Sequence, residues 1–510
     1  MKINRTRNAK AGILTGLFSK LLHLGMPFIT RTVILYILGT EYLGLSGLFS
    51  SLLSFLSLAE LGVSNALVYS MYKPVAEEDA DSVCALLSLY RKLYRIIGFV
   101  ILAAGLICVP FLPLLISGDV PADMNLYLLY GVYLGNTVIS YFLFAYRGSL
   151  LHAHQRVDVT NVTDSVISAV TWVLQIVMLL IFKNYYAYLI FMPLSNVAGN
   201  LVRLYYTKKL YPQYTPRGKV DPELEASIFK KIKALMGAKI STTVLHSSDN
   251  IVISAFLGLT MVSIYGNYYF LMNSIGSFLG IIFSSILPGV GNSLVTESME
   301  KNYRDFKKFV FLNNWLVGWC AVCFICLYQP FMELWVGQEL MLPFSVVVLI
   351  VVYFVLYQGR KVVITYKDAA GLWWEDRFRP FVMAAVNLGF NLILVQVIGI
   401  WGVILSTVLS FVLSVPWETC VVYKHVFKRS PKEYFLSLAW FLVVVTLASL
   451  VSLGLCQFAM DGIWGLLIRA GICVVVPNLV FLLCFCRQAE FADARALVLR
   501  LIKPRRIEPR

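Results

Sequence analysis

Apolar residues run along this chain in blocks of roughly twenty, the length of helix that crosses a bilayer. About fourteen blocks can be drawn. They cover 12–38, 42–71, 96–117, 124–146, 162–182, 186–207, 237–257, 264–290, 308–328, 341–364, 378–398, 400–422, 434–456 and 463–486. The pattern predicts an all-α polytopic membrane protein of about fourteen transmembrane helices.

The polar positions inside the blocks are ordered. In the first, Lys20, His23, Pro27 and Arg31 fall on one face at helical spacing. In the second, Ser57, Glu60 and Ser64 form a stripe. In the seventh, Thr242, His246 and Asp249 share a face, with Asn250 beside them. A polar stripe on a spanning helix looks at protein or water rather than lipid. The expected result is a cavity wall at membrane depth. Pro27, Pro193, Pro288, Pro416 and Pro477 interrupt blocks and are expected to act as bends.

Composition agrees: 59% of the 510 residues are hydrophobic and 14% charged. The net charge of +15 would suggest nucleic acid in a soluble protein. Here the positive-inside rule accounts for it, and no nucleic-acid partner is expected. With the N-terminal tail inside, Lys183 is the one Lys or Arg on the outer side, while Lys20, Arg31 and Arg469 fall within blocks. The others, of 43, collect on the inner side, which places both termini in the cytoplasm. The first block is long enough to span and stay rather than be cleaved. Acids at the start and bases at the end predict an interfacial helix over Pro74 to Arg95. Asp221 before Pro222 predicts a capped helix leading into the seventh span. The tail from Phe491 to Arg506 predicts a basic amphipathic helix, with Phe491, Ala494, Leu497, Val498 and Leu501 on its apolar side.

A repeat is visible at an offset of about 220 residues: Leu38-Gly39 recurs as Leu257-Gly258, Tyr146…Arg156 as Tyr366…Arg377, and Gln175 as Gln396. Six spans per offset make the halves parallel repeats. The expected organisation is an N-terminal lobe over 1–210, an inner linker over 211–236, a C-terminal lobe over 237–430, two further spans over 431–486 and a basic tail over 487–510. Transporters built from two repeats place substrate between the lobes.

Arg31 suits phosphate, because its fork donates in parallel, and it equally suits a structural pair with Glu60. Lys20, His23, Asn250 and His246 are the other substrate-binding candidates. Glu60 and Asp249 are candidates for ion coupling, since a carboxylate in low dielectric changes its charge with its surroundings. The ten cysteines, Cys320, Cys323 and Cys326 among them, are read as packing. No metal or cofactor is expected. There is no P-loop signature; Gly237-Ala-Lys-Ile-Ser is a superficial likeness. Asp79-Ala-Asp81 sits at an acidic helix start with no catalytic domain around it. An enzyme is not expected.

The run Leu38-Gly-Thr-Glu-Tyr-Leu-Gly-Leu-Ser-Gly-Leu-Phe49, with Arg31-Thr before it and Leu58-Ala-Glu-Leu-Gly62 and Tyr72-Lys-Pro74 after it, resembles the polysaccharide transporter family. Its Gram-positive members look most similar. This family belongs to the multidrug/oligosaccharidyl-lipid/polysaccharide exporter superfamily. The resemblance continues through Asp249, Leu257-Gly258 and Tyr265-Gly-Asn267. It implies a flippase of the bacterial cell membrane that moves an undecaprenyl-pyrophosphate-linked oligosaccharide from inner to outer leaflet by alternating access. Membrane lipid, a polysaccharide polymerase and glycosyltransferases are the implied partners. Relatives have cations in the first span, and Arg31 is the position that fits. A cation-coupled drug exporter, a peptidoglycan-precursor flippase and a non-transporting scaffold for polysaccharide enzymes remain as alternatives.

Overall fold

A computed structural model describes residues 5–60, 62–118 and 120–502. Within these, the side chains of 5–18, 234–239, 283–285 and 500–502, and of Ala59, Ser241, Thr242, His246 and Val498, lie outside the description. Every regular element among the described residues is helical. The chain divides into two compact units, Met1–Ser263 and Ile264–Arg510.

The first unit holds α1 (Arg5–Ile37), α2 (Thr40–Leu56), α3 (Val63–Ala76), α4 (Ala80–Cys108), α5 (Leu126–Phe142), α6 (Gly148–Ala153), α7 (Val157–Phe182), α8 (Tyr185–Leu189), α9 (Phe191–Leu210) and α10 (Pro222–Leu257). The next helix, α11 (Leu259–Thr296), runs across the division. The second unit continues with α12 (Met299–Val336), α13 (Phe344–Gly359), α14 (Lys361–Ala369), α15 (Arg379–Ile398), α16 (Ile400–Val422), α17 (Lys432–Cys456), α18 (Gly462–Phe485) and α19 (Ala489–Ile502).

Among the described residues nine helices are long and apolar enough to cross a membrane, and ten if the bent pair Leu126–Phe142 and Ala145–Ala153 is one span. The protein is an all-α polytopic membrane protein, but length and apolarity alone do not reach fourteen spans. The four remaining blocks coincide with α1, the α2–α3 segment, α8–α9 and α10. These are the polar-striped ones: α1 carries Lys20 and Arg31, α9 carries Asn196, Asn200 and Arg203, and α10 carries Asp249 and Asn250. All four belong to the first unit.

The two Leu-Gly pairs that the sequence offset matches both stand at helix ends. Gly39 ends α1 with φ +116°, and Gly258 ends α10 with φ +87°. Both lie in the left-handed region that only glycine enters freely. A Cβ on Gly258 would also meet the Ser117 carbonyl oxygen at 2.9 Å. The α10 helix, which the repeat puts at the head of a second lobe, packs on α2 inside the first unit. Asp221 caps it, accepting from the Glu223 and Leu224 amides at 3.2 and 3.3 Å.

The interfacial helix expected over Pro74 to Arg95 is not separate: Asp79 accepts from the Ser82 amide at 3.0 Å and starts α4, which runs on unbroken to Cys108. Of the prolines expected as bends, Pro27 lies inside α1, Pro193 in the first turn of α9, Pro288 inside α11, Pro416 inside α16 and Pro477 inside α18. The tail helix is held by protein, since Ala494 of α19 is buried and Phe491 stacks on Trp315 of α12 at 6.0 Å. In α19, Val498 and Leu501 lie outside the described side chains.

Candidate functional site: a polar cavity at a broken helix

The second apolar block is not one helix. α2 stops at Leu56, Ser57–Glu60 forms a tighter 3-10 turn, and Gly62 takes φ +78° before α3 begins. Irregular backbone at membrane depth is tolerated where it lines a cavity or is buried in protein. Here it lines a cavity of about 380 Å³ within the first unit. Ser50, Ser54, Ser57, Glu60, Ser64 and Asn65 come from the broken segment. Tyr133, Asn136 and Thr137 come from α5, Met192 from α9 and Thr243 from α10. The wall is mostly hydroxyl and amide, with one carboxylate.

Glu60 is fixed by tyrosines. The Tyr94 hydroxyl donates to its Oε1 at 2.8 Å and the Tyr141 hydroxyl to its Oε2 at 3.0 Å. The Tyr90 hydroxyl donates in turn to Tyr94 at 3.1 Å. The hydroxyls form a relay ending on the carboxylate.

Of the cations on α1, Lys20 is exposed, and His23 bonds its own helix through Nδ1 to the Ser19 carbonyl at 2.8 Å. The His23 ring meets the edge of Trp172 on α7 at 5.1 Å. Neither lines the cavity. Arg31 is half-buried, with Tyr188 and Tyr185 as its electrostatic neighbours. Tyr185 bonds Tyr133 of the cavity wall at 3.0 Å. Arg31 itself is not among the residues that line the cavity. On α10, the Asn250 amide donates to Ser51 Oγ of α2 at 2.9 Å, and Asp249 is buried. The side chain of His246 lies outside the described residues. Elsewhere amides join helices, as between Asn196 and Asn136 at 2.6 Å.

The second unit holds a charged cluster that the sequence spread over a loop and three spans. Glu418 of α16, 1% exposed, accepts from Arg379 Nη2 at 2.7 Å and from Arg360 Nη1 at 3.0 Å. Asp376 accepts from Arg379 at 2.7 Å and from Lys367 at 2.7 Å. Burial alone would raise the Asp376 carboxyl, but Arg379 and Lys367 override it and hold it below the ordinary 3.8.

Sequence reasoning found Glu60 but missed the tyrosines that hold it. The i, i+4 pair Tyr90 and Tyr94 was the available signal, and Gly62 marked the break. Tyr141 and Thr243 carried none.

A family model described as "Polysaccharide biosynthesis protein" matches residues 9–294. No curated protein matches the chain by sequence. Among solved structures, the fold is similar to the lipid II flippase MurJ in an inward closed conformation, with a TM-score of 0.66 and 15% identity over 96% of this chain and 99% of that one. It is similar to an inward-facing multidrug resistance MATE family transporter of the MOP superfamily, with a TM-score of 0.64 and 14% identity over 80% and 95%. The Vibrio cholerae MATE transporter VcmN in its bent form is similar with a TM-score of 0.52 and 13% identity over 84% and 98%. At these identities the likeness is one of fold.

Proposed function

The chain belongs to the polysaccharide biosynthesis protein family, and from that premise we propose that it is a flippase for a lipid-linked oligosaccharide in the bacterial cell membrane. The headgroup crosses from the inner to the outer leaflet while the lipid tail stays in the bilayer. The undecaprenyl-pyrophosphate carrier implied by the opening motif supplies an anion for Arg31. The hydroxyl- and amide-lined cavity at the broken second span is the observation that carries the reading. Such a wall offers sugar hydroxyls both donors and acceptors. Glu60, with Tyr94 and Tyr141, is the coupling site, and a cation or proton there changes the relay and with it the cavity wall. Asp249 is a second coupling candidate, and Lys20, His23, Asn250 and His246 are supporting positions. Both termini are cytoplasmic, and a polymerase and glycosyltransferases act on the same lipid-linked material.

The test is complementation of a strain lacking the protein with Arg31→Ala, Arg31→Lys and Glu60→Gln at matched expression. Surface polymer and inner-leaflet lipid-linked intermediate are both measured. At least tenfold less polymer for Arg31→Ala and Glu60→Gln, with intermediate accumulating inside and partial rescue by Lys, is expected. Unchanged polymer in all three would return these residues to structure.

The carboxylate in the cavity favours a second reading, a cation-coupled exporter of amphiphiles. That reading predicts drug resistance rising with expression and lost in Glu60→Gln, with polymer unaffected.

A further inference from the structure

Ten cysteines are spread along the sequence, where their spacing reads as packing. Folding gathers four of them in the second unit. Cys323 and Cys326 lie about one turn apart on α12, Cys456 ends α17, and Cys473 is midway along α18. The sulfurs of Cys326, Cys456 and Cys473, all buried, lie within 4.8 Å of one another. The Cys323 thiol interacts with that of Cys473. All four are free thiols.

The arrangement has the geometry of a ligand set. Cys323-Phe-Ile-Cys326 is a C-x2-C pair, and at i, i+3 on a helix both sulfurs face the same way. A metal bound at ~2.3 Å by thiolates needs sulfurs about 3.8 Å apart in a tetrahedron and about 4.0 Å apart in a trigonal plane. The three sulfurs, all within 4.8 Å of one another, stand close to that spacing. Thiol packing alone explains burial. It does not explain why three different helices aim their thiols at one point.

The neighbouring cation is a second observation. Arg469 of α18 donates to the carbonyls of Cys456 and Ala459, each at 3.3 Å, and lies 3.6 Å from Asp461. It acts electrostatically on the Cys456 thiol. A charged group inside a span needs an electrostatic reason. Four thiolates around a divalent ion, or three around a monovalent one, leave a net charge of −2, and Arg469 offsets one unit of it. Thiolate ligands select thiophilic ions, Zn²⁺ and Cu⁺ among them.

We propose that Cys326, Cys456 and Cys473 bind one thiophilic metal ion, Cu⁺ as a set of three or Zn²⁺ with neighbouring Cys323 as the fourth, which clamps α17 and α18 to α12. Each ligating sulfur forms a bond to the metal and loses its proton, and no electron is transferred. The protons leave past Cys456, beside the loop that holds the fully exposed Asp461.

The test uses the full-length chain, purified in detergent under reducing conditions, stripped by chelator and offered Zn²⁺ or Cu⁺. Elemental analysis after removal of free metal is expected to find one ion per chain. The double variant Cys456→Ser/Cys473→Ser is expected to retain at least fivefold less, and Cys420→Ser, at an exposed cysteine, as much as the unmodified chain. Alkylation of the unmodified chain, metal-loaded against stripped, needs no variant: three fewer thiols should react with Cu⁺ bound and four fewer with Zn²⁺. Retention of one ion but not the other identifies the metal. No ion above the double variant's background, or equal alkylation with and without metal, overturns the proposal.

Discussion

Gly44 shows how little room the first unit leaves. It is buried on α2, and a Cβ there would lie 2.2 Å from the Leu259 carbonyl oxygen at the start of α11. The obstacle is backbone, so it cannot rotate aside. Gly44→Ala is expected to cost about 1–3 kcal/mol of stability, the usual range for overpacking. At Gly47, one turn along, an added Cβ meets side chains rather than backbone, Val262 at 3.0 Å and Asn250 at 3.9 Å, so Gly47→Ala should cost less. Thermal unfolding in detergent compares the two, and an equal or inverted order would sink the argument. At this scale the sequence named Glu60 from its place in a stripe. It could not name Tyr94 or Tyr141, because their partner is 34 and 81 residues away along the chain.

At the scale of elements, the Arg360–Lys367–Asp376–Arg379–Glu418 cluster ties α13, α14, α15 and α16 together at one end of the second unit. Removing one partner of a buried pair leaves the other charge uncompensated. Glu418→Ala is therefore expected to destabilise the second unit by about 3–5 kcal/mol, read as a lower unfolding temperature. The Glu418→Ala/Arg360→Ala pair should lose less than the sum of the single changes. The folded Asp376 carboxyl is held below its ordinary 3.8. Its contribution is fully present above that pH and is lost as the pH falls below it. The unfolding temperatures of the unmodified chain and Asp376→Asn should differ at neutral pH and converge below about pH 4. A difference that persists in acid would assign the effect to packing. Periodicity misjudged two elements for one reason. It reads apolar spacing, which is the same whether a span is continuous, as in α4, or broken, as at Ser57–Glu60.

At the scale of the whole molecule, the charge distribution predicts which side each loop faces. Asp461 is exposed between α17 and α18, and Lys301 sits near the start of α12. In a background with exposed Cys420 and Cys486 replaced by serine, Asp461→Cys should react with a membrane-impermeant reagent in intact cells. Lys301→Cys should react only after permeabilisation. The reverse pattern would invert the topology.

The sequence alone determined that the protein is helical and membrane-embedded, because a spanning segment must be apolar over a fixed length and satisfy its own backbone. It also marked the helix ends at Gly39 and Gly258, because only glycine takes those backbone angles freely. Tertiary structure decided which polar groups meet. It set Glu60 among tyrosines, bonded Tyr185 to the cavity's Tyr133, buried Glu418 among cations, and drew three scattered cysteines together. Those partners sit on helices far apart in the chain, and helix packing, which no local spacing encodes, determines which side chains come within reach.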